Sequence, residues 1–204
     1  MEKFPKEKII EVANEIFESC DVVAKHGTWF HKAMSIMETG LDYDKTTMAG
    51  QVSKDPVKLV SYGWKEVPAG EAANVILALP KTFIKKLNGM NDEQYKEWLA
   101  KFLNRGPDAE ILLYAASEKH STGMIEYKGV TLQGTERCHL PREFVKGSFF
   151  FCDNKTYFDF IKNPEEALEH LTYVENEYFF DNLTPEEQDK FVEAFRGRGK
   201  QPAK

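Results

Sequence analysis

The 204-residue chain is long enough for one domain with a real core, and its 42% hydrophobic and 29% charged content is that of a folding globular protein. A net charge of −6 excludes a whole-molecule electrostatic grip on nucleic acid and leaves room only for a local basic patch. No run approaches the roughly 18 apolar residues of a membrane span, no N-terminal apolar run marks a signal peptide, and Cys20, Cys138 and Cys152 lack disulfide-framework or zinc spacing; a metal-free protein of the reducing cytoplasm, with no membrane partner, is expected.

Ile9, Val12, Ala13, Ile16, Phe17 and Cys20 fall on one stripe and predict an amphipathic helix over 6–20, with Lys6, Glu7, Glu11, Asn14 and Glu18 off the stripe. Val22-Val23-Ala24 then predicts a short buried strand ending at the glycine of Lys25-His26-Gly27-Thr28. Phe30, Ala33, Met34 and Met37 return to helical spacing, Gly40 stands where a helix C-terminal glycine belongs, and Leu41 folds back onto the helix end. The polar, broken segment 42–70 reads as a long loop with one turn of helix near Pro56–Tyr62, and a loop of that length is a candidate functional segment. Asn74–Leu79, stopped by Pro80, is the clearest buried strand.

Asp92–Leu103 predicts a helix capped by Asn91 or Asp92, with Tyr95, Trp98, Leu99 and Phe102 on its buried face, before a break at Gly106-Pro107. Ile111–Ala115, Glu126–Leu132 and Phe144–Phe151 are strand candidates, and Asp153-Asn154 suggests a closing hairpin between Phe151 and Tyr157. Pro164–Leu171 reads as a short helix. Thr184-Pro185-Glu186-Glu187 starts a last helix that ends near Phe195, followed by a flexible basic tail over 196–204. With no repeat and no boundary, the chain reads as a single α+β domain over 1–195, a mixed sheet with helices rather than alternating βαβ units.

The chemistry concentrates at Lys25-His26-Gly27-Thr28. A glycine at a strand end lets the backbone approach a ligand, and its N–H and C=O can hold a carboxamide. His26, pointing to the opposite side, can hydrogen-bond a hydroxyl, and Thr28 can brace the turn.

Taken in order, the apolar run, His-Gly-Thr, the amphipathic helix containing Ile36, and Gly40-Leu41 resemble the opening of ADP-ribosyltransferases of the His-Tyr-Glu type, related to poly-ADP-ribose polymerases. The resemblance covers residues 22–41 and extends to 72–80, where a strand ends in proline as in that family's next core strand. It implies a mixed or antiparallel split sheet flanked by helices, NAD as substrate without a metal, and transfer of ADP-ribose to an acceptor that is a protein, a nucleic acid, a small molecule or water. By this resemblance His26 binds the adenosine ribose, the Gly27 backbone holds the nicotinamide amide, and Thr28 belongs to the same motif. A nicotinamide-stacking aromatic is also implied: Tyr62 in Ser61-Tyr62-Gly63-Trp64 is the first candidate, and Tyr43 the second.

The third implied element is a glutamate that bonds the nicotinamide ribose and stabilises the oxocarbenium-like sugar as nicotinamide leaves. Glu136, ahead of Leu140-Pro141-Arg142-Glu143-Phe144-Val145, resembles it, with Glu126 second; Gln133, three residues before Glu136, does not match the target-binding offset of two. The small size suits a bacterial or viral effector by analogy.

Two other readings use the same residues. His26/Thr28 and His120/Thr122 are paired His-x-Thr motifs, which mark 2H phosphoesterases, whose histidines act as acid and base on a phosphodiester. A degenerate transferase fold could instead be a binding or inhibitor module, with 42–70 and the aromatic C-terminal hairpin as its interface. His31, His139 and His170 show no partner pattern and are expected as surface or packing residues.

Overall fold

A computed structural model of the protein describes residues 1–43, 50–51, 54–60, 71–103, 118–119, 138–153 and 163–198. The chain opens with α1 (Lys6–Ser19), whose apolar stripe is buried at Ile9, Val12, Ala13, Ile16 and Phe17, and passes directly into β1 (Cys20–Trp29). Then come α2 (Phe30–Thr39), β2 (Leu41–Tyr43), β3 (Gly50–Gln51), α3 (Pro56–Val60), β4 (Ala72–Pro80), α4 (Lys81–Asn88) and α5 (Asp92–Leu103). The second half holds β5 (Glu118–Lys119), β6 (Cys138–Leu140), β7 (Val145–Phe151), β8 (Leu171–Glu175) and α6 (Pro185–Arg198), with short 3-10 turns at Arg142–Phe144, Glu166–His170 and Phe180–Asn182.

The class is α+β: two antiparallel sheets flanked by helices. The larger sheet has the order β3-β1-β4-β7-β8 and the smaller β2-β6-β5. β4 lies at the centre of the larger sheet and is buried at all nine positions, which explains its unbroken apolar sequence: both faces are covered. On one face, Val22, Ala24, Val75, Leu77 and Phe150 pack with α2, α4, α5 and α6. On the other, Val23, Ile76 and Phe149 pack with α1, α3 and the Glu166–His170 turn. Phe83 of α4 meets Phe144, Phe180, Phe191 and Phe195 edge-on, and this cluster ties α4 and α6 to the turn that precedes β7.

Local signals place the helix ends. Asn91 caps α5 reciprocally with Gln94: each side chain accepts the other's backbone N–H at 2.9 Å. Thr184 and Glu187 do the same for α6, with the Thr184 N–H donating to Oε2 at 2.9 Å. α6 runs through Arg198, so Arg196, assigned to the tail by sequence, is helical, and its guanidinium donates to the carbonyls of Lys86 (2.8 Å) and Leu87 (3.0 Å) at the end of α4.

Several expectations change. β1 does not stop at Gly27 but continues to Trp29, because β4 offers an antiparallel partner as far as Ala72. The helix expected over Pro164–Leu171 is a 3-10 turn, after which β8 begins at Leu171 and pairs with β7. α4 was hidden behind Pro80, although Phe83, Ile84 and Leu87 carry helical spacing and Gly89 closes it at φ 63°. The segment 42–70 contains β3 and the expected turn of helix, α3. The candidate strands Ile111–Ala115 and Glu126–Leu132, and the hairpin residues Asn154–Tyr157, lie outside the described residues.

Candidate functional site

The cleft is built from three consecutive pieces of chain. β1 alternates: Val22 and Ala24 face the α2 side, so His26 and Thr28 follow on that face, opposite Val75 and Ala73 of β4. Gly27 pairs with Asn74 and belongs to the α1/α3 face. α2 then lays Ile36 over the end of β1 while Lys32, Ser35 and Thr39 stay on its open side, and Gly40 turns the chain into β2. His26–Trp29, these α2 residues and Gly40–Asp42 enclose about 430 Å³, within the roughly 300–1,000 Å³ typical of small-ligand pockets. Thr28 is buried in the floor.

β3 pairs with β1 only at Ala24 and Lys25, so among the described residues no strand runs alongside β1 from His26 to Trp29 on that side. Gly27 lies within a strand and not at its end, which corrects the expectation.

The cleft is electrically polarised. Lys32 brings a cation to the α2 wall, and Asp42 brings a carboxylate to the β2 wall. Asp42 Oδ1 lies 2.7 Å from Nδ1 of His139, its cross-strand partner on β6. His139 is therefore not an isolated surface histidine; it borders a second cavity of about 370 Å³, formed with Glu38, Arg142 and Glu143, and the two cavities share Thr39 as a wall. No sequence signal links Asp42 to His139 across 97 positions. His170 is also partnered, through Nδ1 to Asp153, which Lys3 reaches at 3.2 Å, so it fastens the N-terminal segment.

On the opposite face, Lys25 donates from Nζ to the carbonyl of Lys58 at 2.6 Å. Its half-buried amine is pushed down to about 8 by loss of solvent. Cys20 is a buried free thiol pushed up to about 12 for the same reason, which makes it a packing residue and not a nucleophile.

Of the residues singled out by sequence, His26, Gly27 and Thr28 line the cleft together. Tyr43 ends β2, one residue beyond Asp42, with its backbone paired to Cys138. Tyr62, Glu136, Glu126, Gln133, His120 and Thr122 lie outside the described residues. In sequence, Glu136 stands two positions before Cys138, where β6 begins beside the cleft-lining β2. Among the described residues no group of three or more His, Cys, Asp or Glu side chains could hold a metal ion, and no helix is long and apolar enough to cross a membrane. No family model, curated protein or solved structure matches this chain.

Proposed function

We propose that the protein binds NAD in the cleft at His26-Gly27-Thr28 and transfers its ADP-ribose to an acceptor, on an ADP-ribosyltransferase-like split sheet. The observation that carries this reading is the convergence of the three segments on which the family resemblance rests. His26-Gly27-Thr28, the Ile36 face of α2 and Gly40-Leu41 line one cavity of small-ligand size. The antiparallel sheets flanked by helices agree with that fold at the level of class.

In this reading His26 holds the adenosine ribose and the Gly27 backbone holds the nicotinamide amide, with Tyr62 or Tyr43 stacked on the ring. The bond between the anomeric carbon and the nicotinamide nitrogen breaks, and its electron pair neutralises the pyridinium. Glu136 stabilises the positive charge that develops on the sugar, the kind of electrostatic contribution worth about 3 kcal/mol for a well-placed group. Lys32 adds a cation near the pyrophosphate.

The test is incubation with NAD labelled in the nicotinamide ring, scoring free nicotinamide, together with calorimetric titration of NAD. Release that falls at least tenfold in Glu136→Ala, with the fold retained, is expected. Neither binding nor release would end the proposal.

One observation favours a second reading. His26 and Thr28 project from the same face of a strand, as the first motif of a 2H phosphoesterase requires. That enzyme would cleave a 2′,3′-cyclic phosphate and lose the activity on His120→Ala, a change that leaves NAD turnover unaffected.

A further inference from the structure

Three features at the end of the cleft where α2 begins call for an anion. First, α2 starts without a side-chain cap. Trp29 makes no hydrogen bond to the first turn, and no acidic residue follows in that turn. The leading backbone N–H groups of a helix have no acceptor within it, and they carry its positive end. Second, the turn holds a lysine instead. Lys32 lines the cavity and makes no ion pair among the described residues. A cation there works against the positive helix end, and an anion beside both turns two repelling charges into two attractions. Third, Thr28 is a polar side chain only 7% exposed, and it lines the same cavity. Its hydroxyl has no hydrogen-bond partner among the described residues. A buried hydroxyl in that state is costly until a ligand supplies the partner.

We propose that this end of the cleft is a phosphate subsite, in which the start of α2, the Lys32 ammonium and the Thr28 hydroxyl together hold a phosphate group of the ligand. The opposite end is walled by Gly40 and the Asp42 carboxylate, where α2 presents its negative end. An anion is repelled there, so charge decides which way a phosphorylated ligand lies along the helix. The identity of the ligand as NAD rests on the reading proposed above; the subsite itself does not. His26 and Thr28 stand two residues apart on one face of β1, a step of about 7 Å. That step suits a ribose at His26 whose pyrophosphate reaches Thr28 and Lys32. A 2′,3′-cyclic phosphate presents the same chemistry, and the probes below separate the two sources.

The test is calorimetry on the full chain with ADP-ribose, adenosine, 2′,3′-cyclic AMP and inorganic pyrophosphate. ADP-ribose should bind more tightly than adenosine, by a margin that shrinks as salt is added. Lys32→Glu should weaken ADP-ribose about thirtyfold and leave adenosine within about twofold. Its thermal midpoint should equal or exceed that of the wild type, because an acid in the first turn complements the helix end. Thr28→Val should weaken ADP-ribose about fivefold, and Thr28→Ser, which keeps the hydroxyl, should restore it. Unchanged ADP-ribose affinity in Lys32→Glu overturns the inference and leaves the transferase reading standing. Adenosine affinity that falls in step with ADP-ribose also overturns it, since Lys32 would then not be reading phosphate.

Amide NMR locates the group directly. Pyrophosphate should shift the backbone N–H signals of residues 30–32, and binding without that shift overturns the inference. If pyrophosphate or the cyclic phosphate shifts them while NAD and ADP-ribose fail to bind, the subsite stands and the transferase reading falls. If no phosphorylated probe binds, both fall.

Discussion

The backbone of Gly40, at φ 90°, passes so close to the carbonyl of Leu140 that a Cβ could not fit between them. The same residue is the cap of α2, donating its N–H to the Ile36 carbonyl at 2.8 Å. A positive φ strains any L side chain by about 1–3 kcal/mol, and the clash with Leu140 adds to it. Gly40→Ala should therefore lose about 2–4 kcal/mol in urea unfolding and weaken ligand binding through displacement of β2. An unfolding midpoint equal to the wild type would mean that β2 and β6 separate here without cost.

Ser35 offers a way to close the cleft while sparing the core. It is exposed on α2 and lines the cavity beside Ile36. Ser35→Trp should leave the thermal midpoint within a few degrees of wild type, since surface substitutions usually move stability by no more than about 0.5 kcal/mol. NAD binding should fall more than tenfold in calorimetry. Unchanged affinity would place the ligand elsewhere.

Asp21 anchors the start of β1. Its side chain is only 8% exposed, and it meets Lys54 at 2.7 Å, Lys81 at 3.6 Å and the Tyr95 hydroxyl at 3.0 Å. Burial works to raise its pKa, but the hydrogen bonds from Lys54 and Tyr95 and the lysine charges outweigh it and hold the carboxyl below its ordinary 3.8. A carboxyl depressed in the folded state binds fewer protons folded than unfolded as the pH falls through 3.8. Its stabilisation is complete above that pH and is lost below it. Asp21→Asn should cost about 1–3 kcal/mol at pH 7, and the gap from wild type in denaturant midpoints should narrow steadily below pH 4. A gap that stays constant down to pH 2.5 would rule out the charged network as its source.

Asn176 fastens the chain that leads into β7. It is buried; its amide donates to the carbonyls of Val145 (2.9 Å) and Arg142 (3.1 Å), and its oxygen accepts the N–H of Tyr178 at 3.1 Å. Asn176→Leu would leave these backbone groups unpaired, at an expected cost of about 2–4 kcal/mol. Arg142, stacked on the Tyr178 ring at 3.7 Å, would lose its seat beside the second cavity. Hydrogen exchange at 142–146 should accelerate more than at β4, and uniform acceleration across the protein would contradict this local role.

Helices with a one-sided stripe were legible because their signal is local. α1 and α5 follow from the spacing of Ile9, Val12 and Ile16, and from the Asn91 cap. β8 was not: Leu171–Glu175 is too short and too mixed to stand apart from the turn before it, and only pairing with β7 makes it a strand. β1 was read too short because its last residues, His26 to Trp29, lack apolar alternation and are held extended by β4.

The sequence by itself determined the helical stripes, the buried central strand and the grouping of His26, Gly27 and Thr28, since each depends on residues within a few positions of one another. Tertiary structure alone decided that β1 passes through Gly27 as a strand, that Gly40 closes against Leu140, and that Asp42 meets His139. The first of these joins strands about 50 residues apart and the other two about a hundred, and sequence spacing carries no information about a contact that exists only once the strands have paired.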